Sequence, residues 1–295
     1  AIAAVQCEAA YKSGAFETAL GPDGALAISG GGRVLFSLKG VSAMNFKPDV
    51  WMQFGFFKQK KKNLKEEALG MAESGGGIAL SGTGGSGGSV SFENTATGNL
   101  RVTVQVKNAA AEAKGIRLSF SCGAKDMFWG FGEQYSYADL RGQTVPIWVQ
   151  EQGVGRVKVS NFPPTGSFSD TYFPMPYFID PAAGKGFLVE NSEFSQFNLC
   201  GRDSATWDVE VWNKGRVSFL VFPGPKPADV VSQFTAEVGR PKLPPPDWAM
   251  GGVWLASQRG PEVRWQRVDA ALKADIPVSA VWAQDWVGER HFGTG

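Results

Sequence analysis

The sequence predicts a mainly β protein, in which an antiparallel β-sandwich is followed by the first βαβ unit of an incomplete (β/α)8 barrel. Short runs rich in Val, Ile and Phe lie between residues 15 and 222, separated by Gly- and Pro-containing turns. Several runs alternate apolar and polar residues, which is typical of two packed antiparallel sheets. After a proline-rich stretch the pattern changes to a buried strand, a helix and a second buried strand, which predicts parallel pairing.

The apolar runs locate the individual strands of the predicted sandwich. These are Ala25–Ser29, Val34–Leu38, Val50–Phe57, Val90–Phe92, Leu100–Val106, Ile116–Phe120, Gly186–Glu190, Phe194–Leu199, Trp207–Trp212 and Val217–Phe222. A basic cluster from Lys58 to Lys65 is followed by Glu66 and Glu67, and we expect it to be a solvated loop. The tract Ser74–Ser89 is nearly all Gly and Ser, which predicts loops around one weak strand.

A helix and a stiff linker separate the two β patterns. Pro227–Val238 has its apolar residues at helical spacing, and Gly239–Pro246 is rich in proline, which favours an extended connector. The predicted domains are therefore a sandwich over 1–226, the helix and linker over 227–247, and the start of a barrel over 248–295.

The last part of the chain predicts one βαβ unit. Its elements are strand Trp248–Leu255, helix Pro261–Ala274 and strand Ile276–Trp282, and the helix has an apolar face that includes Trp265, Val268, Ala271 and Leu272. A closed barrel takes roughly 250 residues. We therefore expect the chain to be the N-terminal part of a larger protein, whose remaining barrel is its missing partner.

Polar residues follow both strands of this unit. Gln258 comes after the first strand, and Gln284, Asp285 and Trp286 come after the second. In a β/α barrel the functional residues lie just past the C-terminal ends of the strands, on one face. The two glutamines therefore occupy equivalent places, and the alternative interpretation is that both are solvated loop residues.

A segment at residues 128–156 concentrates aromatic rings, glycines and polar side chains. Such a surface suits a sugar, because rings cover its apolar C–H faces while amides, carboxylates and guanidinium groups bond its hydroxyls. The alternative is a β-rich core with ordinary turns. The rings are Phe128, Trp129, Phe131, Tyr135, Tyr137 and Trp148, and the polar groups are Glu133, Gln134, Arg141, Gln150, Glu151, Gln152 and Arg156.

Composition excludes several function classes. The net charge is +1, which leaves no electrostatic footprint for nucleic acid or an anionic membrane, and no apolar run reaches the roughly 20 residues of a membrane span. The single histidine, His291, and the absence of nucleotide-binding fingerprints predict neither a metal nor a cofactor. Cys7, Cys122 and Cys200 are far apart with no C-x-x-C, which argues against a disulfide framework. Together with the absence of an N-glycosylation sequon, they favour an intracellular protein.

A resemblance to a known family rests on three pieces of sequence. They are residues 130–135 with 149–156, residues 255–260 with Gln258, and the string Val281-Trp282-Ala283-Gln284-Asp285-Trp286. In these pieces, and in the order of sandwich, linker and barrel, the chain resembles glycoside hydrolase family 31, and within it the sulfoquinovosidases. The resemblance covers the chain from about residue 120 onward.

This resemblance implies hydrolysis of α-glycosides of sulfoquinovose, a sulfonated glucose. It implies that Gln258 and Gln284 engage the sugar, where an amide offers both a donor and an acceptor, and that Asp285 and Trp286 line the same pocket. It also implies a place at the rim of the barrel for three polar residues, Glu151, Gln152 and Arg156.

The catalytic groups implied by the resemblance are two aspartates, a nucleophile and an acid/base, that act with retention of configuration. Both are expected beyond Gly295, so no residue of this chain is nominated as catalytic. Two other functions stay open on the sequence. One is an α-glucosidase or α-xylosidase acting on uncharged sugars, and the other is a non-catalytic β-sandwich that binds carbohydrate.

Overall fold

β-Strands make up most of the structure, as the alternating sequence predicts. The computed structural model describes residues 11–53, 56–107, 114–150, 168–241, 244–257 and 260–283, and of residues 52, 53 and 56–58 it describes only the backbone. A first compact unit runs to Val238, and a second starts at Gly239. The strands of the first unit are β1 (Tyr11–Ser13), β2 (Phe16–Leu20), β3 (Leu26–Gly30), β4 (Arg33–Gln53), β5 (Phe56–Ser74), β6 (Gly77–Ser81), β7 (Gly87–Asn94), β8 (Leu100–Lys107), β9 (Gly115–Ser121), β10 (Trp129–Gly132), β11 (Thr144–Ile147), β12 (Pro174–Asp180), β13 (Lys185–Val189), β14 (Ser195–Asp203), β15 (Thr206–Val211) and β16 (Arg216–Phe222).

These strands form one large antiparallel sheet. Their order is β10-β12-β13-β16-β8-β7-β6-β5-β4-β9-β15-β14-β11, and β3, β2 and β1 are attached in turn to β4. The long strand β5 joins the half of the sheet from β10 to β6 with the half from β4 to β11. It pairs with β4 through Leu69 and then with β6 from Gly70 onward. One strand therefore belongs to both halves of the sheet.

Aromatic rings from both halves meet in a single core. Trp207 of β15 stacks on Phe120 of β9 with centroids 4.2 Å apart, and both rings contact Phe187 of β13 in the other half. Phe36 of β4 lies 5.5 Å from the same Phe187 ring. Each such buried side chain contributes about 1.5–3 kcal/mol. The sheet therefore curls over so that its two halves cover the same apolar interior.

The prediction of a solvated loop at the basic cluster Lys58–Lys65 is wrong. These residues lie inside β5, which pairs with β4 from Gln53↔Phe56 to Val41↔Leu69. Two of its lysines pair with carboxylates in the folded chain. Lys62 Nζ lies 2.7 Å from Asp49 Oδ2, and Lys61 Nζ lies 2.5 Å from Glu210 Oε2.

The expectation of no disulfide is also wrong, because Cys122 and Cys200 form one, with their Cα atoms 6.4 Å apart. Cys122 directly follows β9 and Cys200 lies in β14, and both strands pair with β15 between them. Sheet topology thus brings together residues 78 positions apart in sequence. The cysteines consequently give no support to an intracellular location.

Helix α1 (Pro227–Val238) ends the first unit and occupies the residues predicted for it. Its buried residues are Val230 and Phe234, and the Phe234 ring stacks on Tyr177 of β12 with centroids 3.9 Å apart. The helix therefore packs on the sheet of the first unit.

The second unit contains the predicted parallel strand pair. A 3-10 turn (Asp247–Ala249) precedes β17 (Val253–Ala256), helix α2 (Pro261–Lys273) and β18 (Val278–Trp282), and β17 runs parallel to β18. Two details differ from the prediction. Trp248 lies in the turn rather than in the strand, and of the predicted apolar face of α2 only Val268 is buried, whereas Trp265 and Leu272 are exposed. Neither described helix is long and apolar enough to cross a membrane.

Candidate functional site

The parallel strands of the second unit end side by side. Ala256 at the end of β17 is paired with Trp282 at the end of β18. The Ser257 N–H then donates to the Trp282 carbonyl at 3.0 Å, and Ser257 is buried. The residues that follow the two strands therefore leave from one edge of the pair, as a site at the C-terminal end of a β/α unit requires.

The site residues predicted from the sequence come shortly after residues that the structure describes. Gln258 is the residue after Ser257, and Gln284, Asp285 and Trp286 come immediately after Ala283. These four residues lie outside the described residues, and so do the rim candidates Glu151, Gln152 and Arg156. Their roles stay predictions, and the structure describes only their immediate neighbours.

The aromatic segment starting at residue 128 separates into core rings and exposed rings. Phe128 and Phe131 are fully buried and contact the ring of Phe178, so for these two the core interpretation is right. Tyr135 and Tyr137 are about half exposed or more. Only the exposed rings could meet a ligand.

Two glycines hold β10 against β12 at this place. Gly130 has φ +142°, and a Cβ there would lie 2.6 Å from the Tyr177 carbonyl oxygen. Gly132 has φ +85°, and its Cβ would overlap the carbonyl oxygen of Phe173. The intervening Phe131 takes φ +65°, in the left-handed region, and its ring is inserted in the core. Glycine adopts such positive φ angles without the steric cost that other residues incur, and residues 133–139 that follow are partly or fully exposed.

Arg141 is a structural residue rather than a free sugar-binding group. Its guanidinium donates to the carbonyl oxygens of Gly123 at 2.9 Å and Asp126 at 3.1 Å, and it contacts Cys122 Sγ at 3.0 Å. These contacts tie the start of the segment to the disulfide, and they leave Arg141 little capacity for a ligand.

Buried polar residues flank the part of the chain that carries the rim candidates. Gln150, Ser169, Asp170 and Thr171 are each at most 9% exposed. Val149 and Thr171 form a parallel bridge, and the Gln150 N–H donates to the Thr171 carbonyl at 3.0 Å. Because buried polar groups require hydrogen bonds, these contacts hold Gln150 next to Thr171, and we call the four buried polar residues the polar ledge.

Four exposed rings lie near this ledge, and we call them the aromatic rim: Tyr135, Tyr137, Tyr172 and Phe173. The Glu133 N–H donates to the Phe173 carbonyl at 3.0 Å, which joins the two loops that carry them, and Tyr137 contacts the Phe168 ring at 5.2 Å. A hydrogen bond with Glu133 raises the pKa of Tyr135. Sequence reasoning missed Tyr172 and Phe173, although an aromatic pair directly after Asp170 and Thr171 was a usable signal.

The chain is similar to several glycosidases, although no protein-family model matches it. It is 31% identical to a sulfoquinovosidase of Escherichia coli K12, over 66% of this chain and 29% of that protein. It is 32% identical to a sulfoquinovosidase of Agrobacterium fabrum, over 57% and 26%. An α-glucosidase of Bacillus thermoamyloliquefaciens is 32% identical over 53% of this chain and 19% of its own length.

Solved structures share the fold. A family 31 sulfoquinovosidase from E. rectale, in complex with an aza-sugar inhibitor, gives a TM-score of 0.71 at 22% identity, over 92% of this chain and 41% of that one. A cycloalternan-forming enzyme from Listeria monocytogenes, in complex with a pentasaccharide substrate, gives 0.52 at 14% identity, over 95% and 32%. At these identities the likeness shows the fold alone.

The mainly β chain is thus matched by curated glycosidases, two of which are sulfoquinovosidases. Its similarity is to glycoside hydrolase family 31, and the resemblance to the sulfoquinovosidases of that family is confirmed. The chain spans under a third of the lengths of the curated sulfoquinovosidases that it matches.

Proposed function

We propose that the chain is part of a retaining α-glycosidase of family 31 that acts on α-sulfoquinovosides. In this proposal the curled sheet of the first unit is the β-sandwich, and β17, α2 and β18 are the first βαβ unit of a (β/α)8 barrel. The observation that carries it is the shared end of β17 and β18, at Ala256 and Trp282, directly before the nominated residues. The confirmed resemblance to sulfoquinovosidases supports the substrate class.

Within this site, Gln258 and Gln284 bind the sugar from neighbouring strand ends, and Asp285 and Trp286 line the same pocket. The resemblance to the family supports Glu151, Gln152 and Arg156 as further residues at the rim of the pocket. The nucleophile and acid/base are two carboxyl groups about 5–5.5 Å apart, placed on barrel strands beyond residue 295.

The exposed apolar surface of the second unit supports the barrel. Trp254 and Trp282 on the strands, and Trp265 and Leu272 on α2, are each 46% exposed or more. Parallel strands are normally covered on both faces, so a completed barrel would bury the side chains that the described residues leave open.

The proposal is tested with the longer protein that carries this chain, on 4-nitrophenyl α-sulfoquinovoside and 4-nitrophenyl α-glucoside. We expect a higher kcat/KM for the sulfonated substrate. Equal or reversed rates would shift the function to the α-glucosidase alternative, which the Bacillus relative favours. Turnover of neither substrate would remove the glycosidase proposal. Residues 1–295 alone should turn over neither, and activity in that fragment would contradict the placement of the catalytic carboxyl groups.

The site assignment is tested separately by Gln284→Glu in the longer protein. A second anion facing the sulfonate should raise KM for the sulfonated substrate by roughly tenfold or more, because like charges in a partly buried site repel strongly. Gln266→Glu is the matched control, since Gln266 is an exposed residue of α2 and the charge change is the same. An unchanged KM in Gln284→Glu would remove Gln284 from the site.

A further inference from the structure

The outer face of the first unit, turned away from the aromatic core, is only partly covered by α1. Leu220 of β16 lies on this face and packs with Val230 and Phe234 of the helix. Side chains alternate along a strand, so Ser218 and Arg216 lie on the same face, beyond the apolar contact with α1. A cleft of about 390 Å³ lies here, within the range of about 300–1,000 Å³ of small-molecule sites. We call it the polar cleft, and its lining is Glu93, Arg101, Glu190, Asn191, Arg216 and Ser218.

The floor of the polar cleft carries hydroxyl groups held by paired strands. Ser218 of β16 lies opposite Thr103 of β8, and their hydroxyl oxygens are 3.1 Å apart. The Asn191 side chain accepts from the Ser218 N–H at 3.0 Å and donates to the Arg216 carbonyl at 3.1 Å. Ser218 is 7% exposed. The floor is therefore fixed by the sheet and does not depend on a loop.

Arg101 and two glutamates form one end of the cleft. Arg101 of β8 lies opposite Glu93 of β7 and donates to it through Nη1 at 2.6 Å. Its Nε and Nη2 donate to the two carboxylate oxygens of Glu190 at 2.7 and 2.9 Å, which is a bidentate pair with a fixed plane. The Glu93 side chain remains 62% exposed. Its carboxylate can therefore accept further hydrogen bonds.

Arg216 lies at the other end of the cleft. It is opposite Gln105 of β8, four residues along that strand from Arg101, which is roughly 14 Å at about 3.4 Å per residue. Arg216 is exposed, and its guanidinium makes no ion pair with a described residue. A guanidinium without a carboxylate partner keeps its five N–H donors for a ligand. The cleft thus offers acceptors at one end, donors at the other and hydroxyls between them.

The charges of the cleft favour a ligand without net charge. The lining contains two carboxylates and two guanidinium groups, so its charges balance. A small ion could satisfy only one end and would leave the hydroxyl floor unused. A neutral molecule with several hydroxyls can donate to the carboxylates, accept from Arg216 and bond the floor, because each hydroxyl is both a donor and an acceptor.

We propose that the polar cleft is a carbohydrate-binding site. A saccharide carries hydroxyls on adjacent carbon atoms, and such a pair fits the two oxygens of a carboxylate or two N–H groups of a guanidinium. The distance between the two ends suits a disaccharide or a longer chain better than a single ring. No aromatic ring lines the cleft, so binding is weak, with a dissociation constant on the order of 1 mM. The inference does not rest on the proposed function, because it requires no catalytic group.

The test is a nuclear magnetic resonance titration of isotopically labelled residues 1–295 with maltose, lactose and sucrose, and with sodium sulfate as an anion probe. We expect at least one disaccharide to shift the backbone amide signals of Thr103, Glu190 and Ser218. Sulfate should not shift them at equal concentration. The titration involves no turnover, so its outcome is separate from the activity of the longer protein.

Arg216→Gln is the main variant, and Arg267→Gln is its matched control, because Arg267 is an exposed arginine on α2. We expect Arg216→Gln to weaken disaccharide binding roughly tenfold, through loss of hydrogen bonds from a charged donor, and the control to bind like the native chain. Arg216→Lys keeps the charge but not the planar fork, so it should restore only part of the affinity. Unshifted amide signals away from β16 would show that each variant is folded.

Four results would overturn the proposal. They are no shift at the cleft with any of the three disaccharides, shifts confined to other parts of the chain, equal binding by Arg216→Gln and Arg267→Gln, and binding of sulfate at the same amides as tightly as the sugar. The last result would make the cleft an anion site. A second variant, Ser218→Ala, checks the floor, and it should weaken binding severalfold while the register of β16 with β8 is kept.

Discussion

Lys61 and Lys62 are neighbours on β5 that differ mainly in burial, so replacing each by Met isolates the effect of burial on an ion pair. Lys61 Nζ lies 2.5 Å from Glu210, with side chains 19% and 2% exposed. Lys62 Nζ lies 2.7 Å from Asp49, with side chains 57% and 35% exposed. Met keeps most of the apolar stem of either lysine, so the charge is the main loss.

The expected loss of stability depends on how well the carboxylate that each substitution leaves unpaired is solvated. Removing one partner of a buried pair costs about 3–5 kcal/mol, because the other charge stays in a poorly solvated place. Glu210 would keep Arg117, whose Nη2 lies 3.1 Å away, so Lys61→Met should cost about 3 kcal/mol, at the lower end. The exposed pair is screened by solvent, so Lys62→Met should cost less than about 1 kcal/mol.

The assay is urea unfolding, followed through the near-ultraviolet signal of the aromatic side chains, many of which are buried in the core. The pH dependence supplies a second readout. Burial opposes the charged form of Glu210, but hydrogen bonds from Lys61 and Arg117 outweigh it and lower the pKa below its ordinary 4.5. A lowered carboxyl pKa stabilises the fold above 4.5, and this stabilisation is lost as the pH falls through the folded-state pKa. The difference between the native chain and Lys61→Met should therefore shrink below about pH 4.5.

Two results would refute this reasoning. Equal losses in Lys61→Met and Lys62→Met would mean that burial does not set the strength of these pairs. A large loss in Lys61→Met that persisted unchanged at low pH would mean that the lysine acts through packing and not through the charge of Glu210. Burial raises the pKa of the neighbouring Asp208, but Asp208 is present in both chains, so its titration cancels in the comparison.

The glycine and cysteine positions yield two further predictions. Gly132→Ala should lower stability by more than about 2 kcal/mol, since its Cβ would overlap the Phe173 carbonyl oxygen at φ +85°. The control Gly142→Ala, with a similar φ of +83° but open space around the Cβ, should cost only about 1 kcal/mol. Similar melting temperatures for the two variants would contradict the close approach of β10 to β12. Reducing the Cys122–Cys200 bond, which closes 78 residues, should cost about 4 kcal/mol in urea unfolding, and a Cys122→Ser, Cys200→Ser chain should show no response to reductant.

The strands with local alternation were predictable from sequence, and those with nonlocal partners were not. Leu100–Val106 falls within β8, because its in-and-out pattern is written in consecutive residues. Val217–Phe222 falls within β16 as a continuous apolar run that is buried along its length. The lysines of β5 predict a loop when only the local sequence is considered, because the partner of Lys61 is distant: Glu210 is 149 positions away. The disulfide was missed for the same reason.

The candidate site shows the same limit. The shared edge of β17 and β18 was predictable, because strand, helix and strand follow in order and such crossovers give parallel pairs. The aromatic rim was only half predicted, since its two loops are joined by the contact of Glu133 with Phe173, which no local pattern encodes. The roles of the residues after Ser257 and Ala283 stay predictions.

The second unit shows how a sequence can encode contacts that its described residues do not make. Val253 and Trp254 on β17, and Val281 and Trp282 on β18, are apolar on consecutive positions, a pattern of strands covered on both faces, yet all four are at least 40% exposed. An exposed apolar surface of this kind marks a place for a partner. α2 cannot be that partner alone, because its own Trp265 and Leu272 are exposed as well. The apolar sequence pattern and the observed exposure of the side chains therefore disagree along both strands and along most of the apolar face of α2, and the proposed barrel would remove this disagreement by covering them.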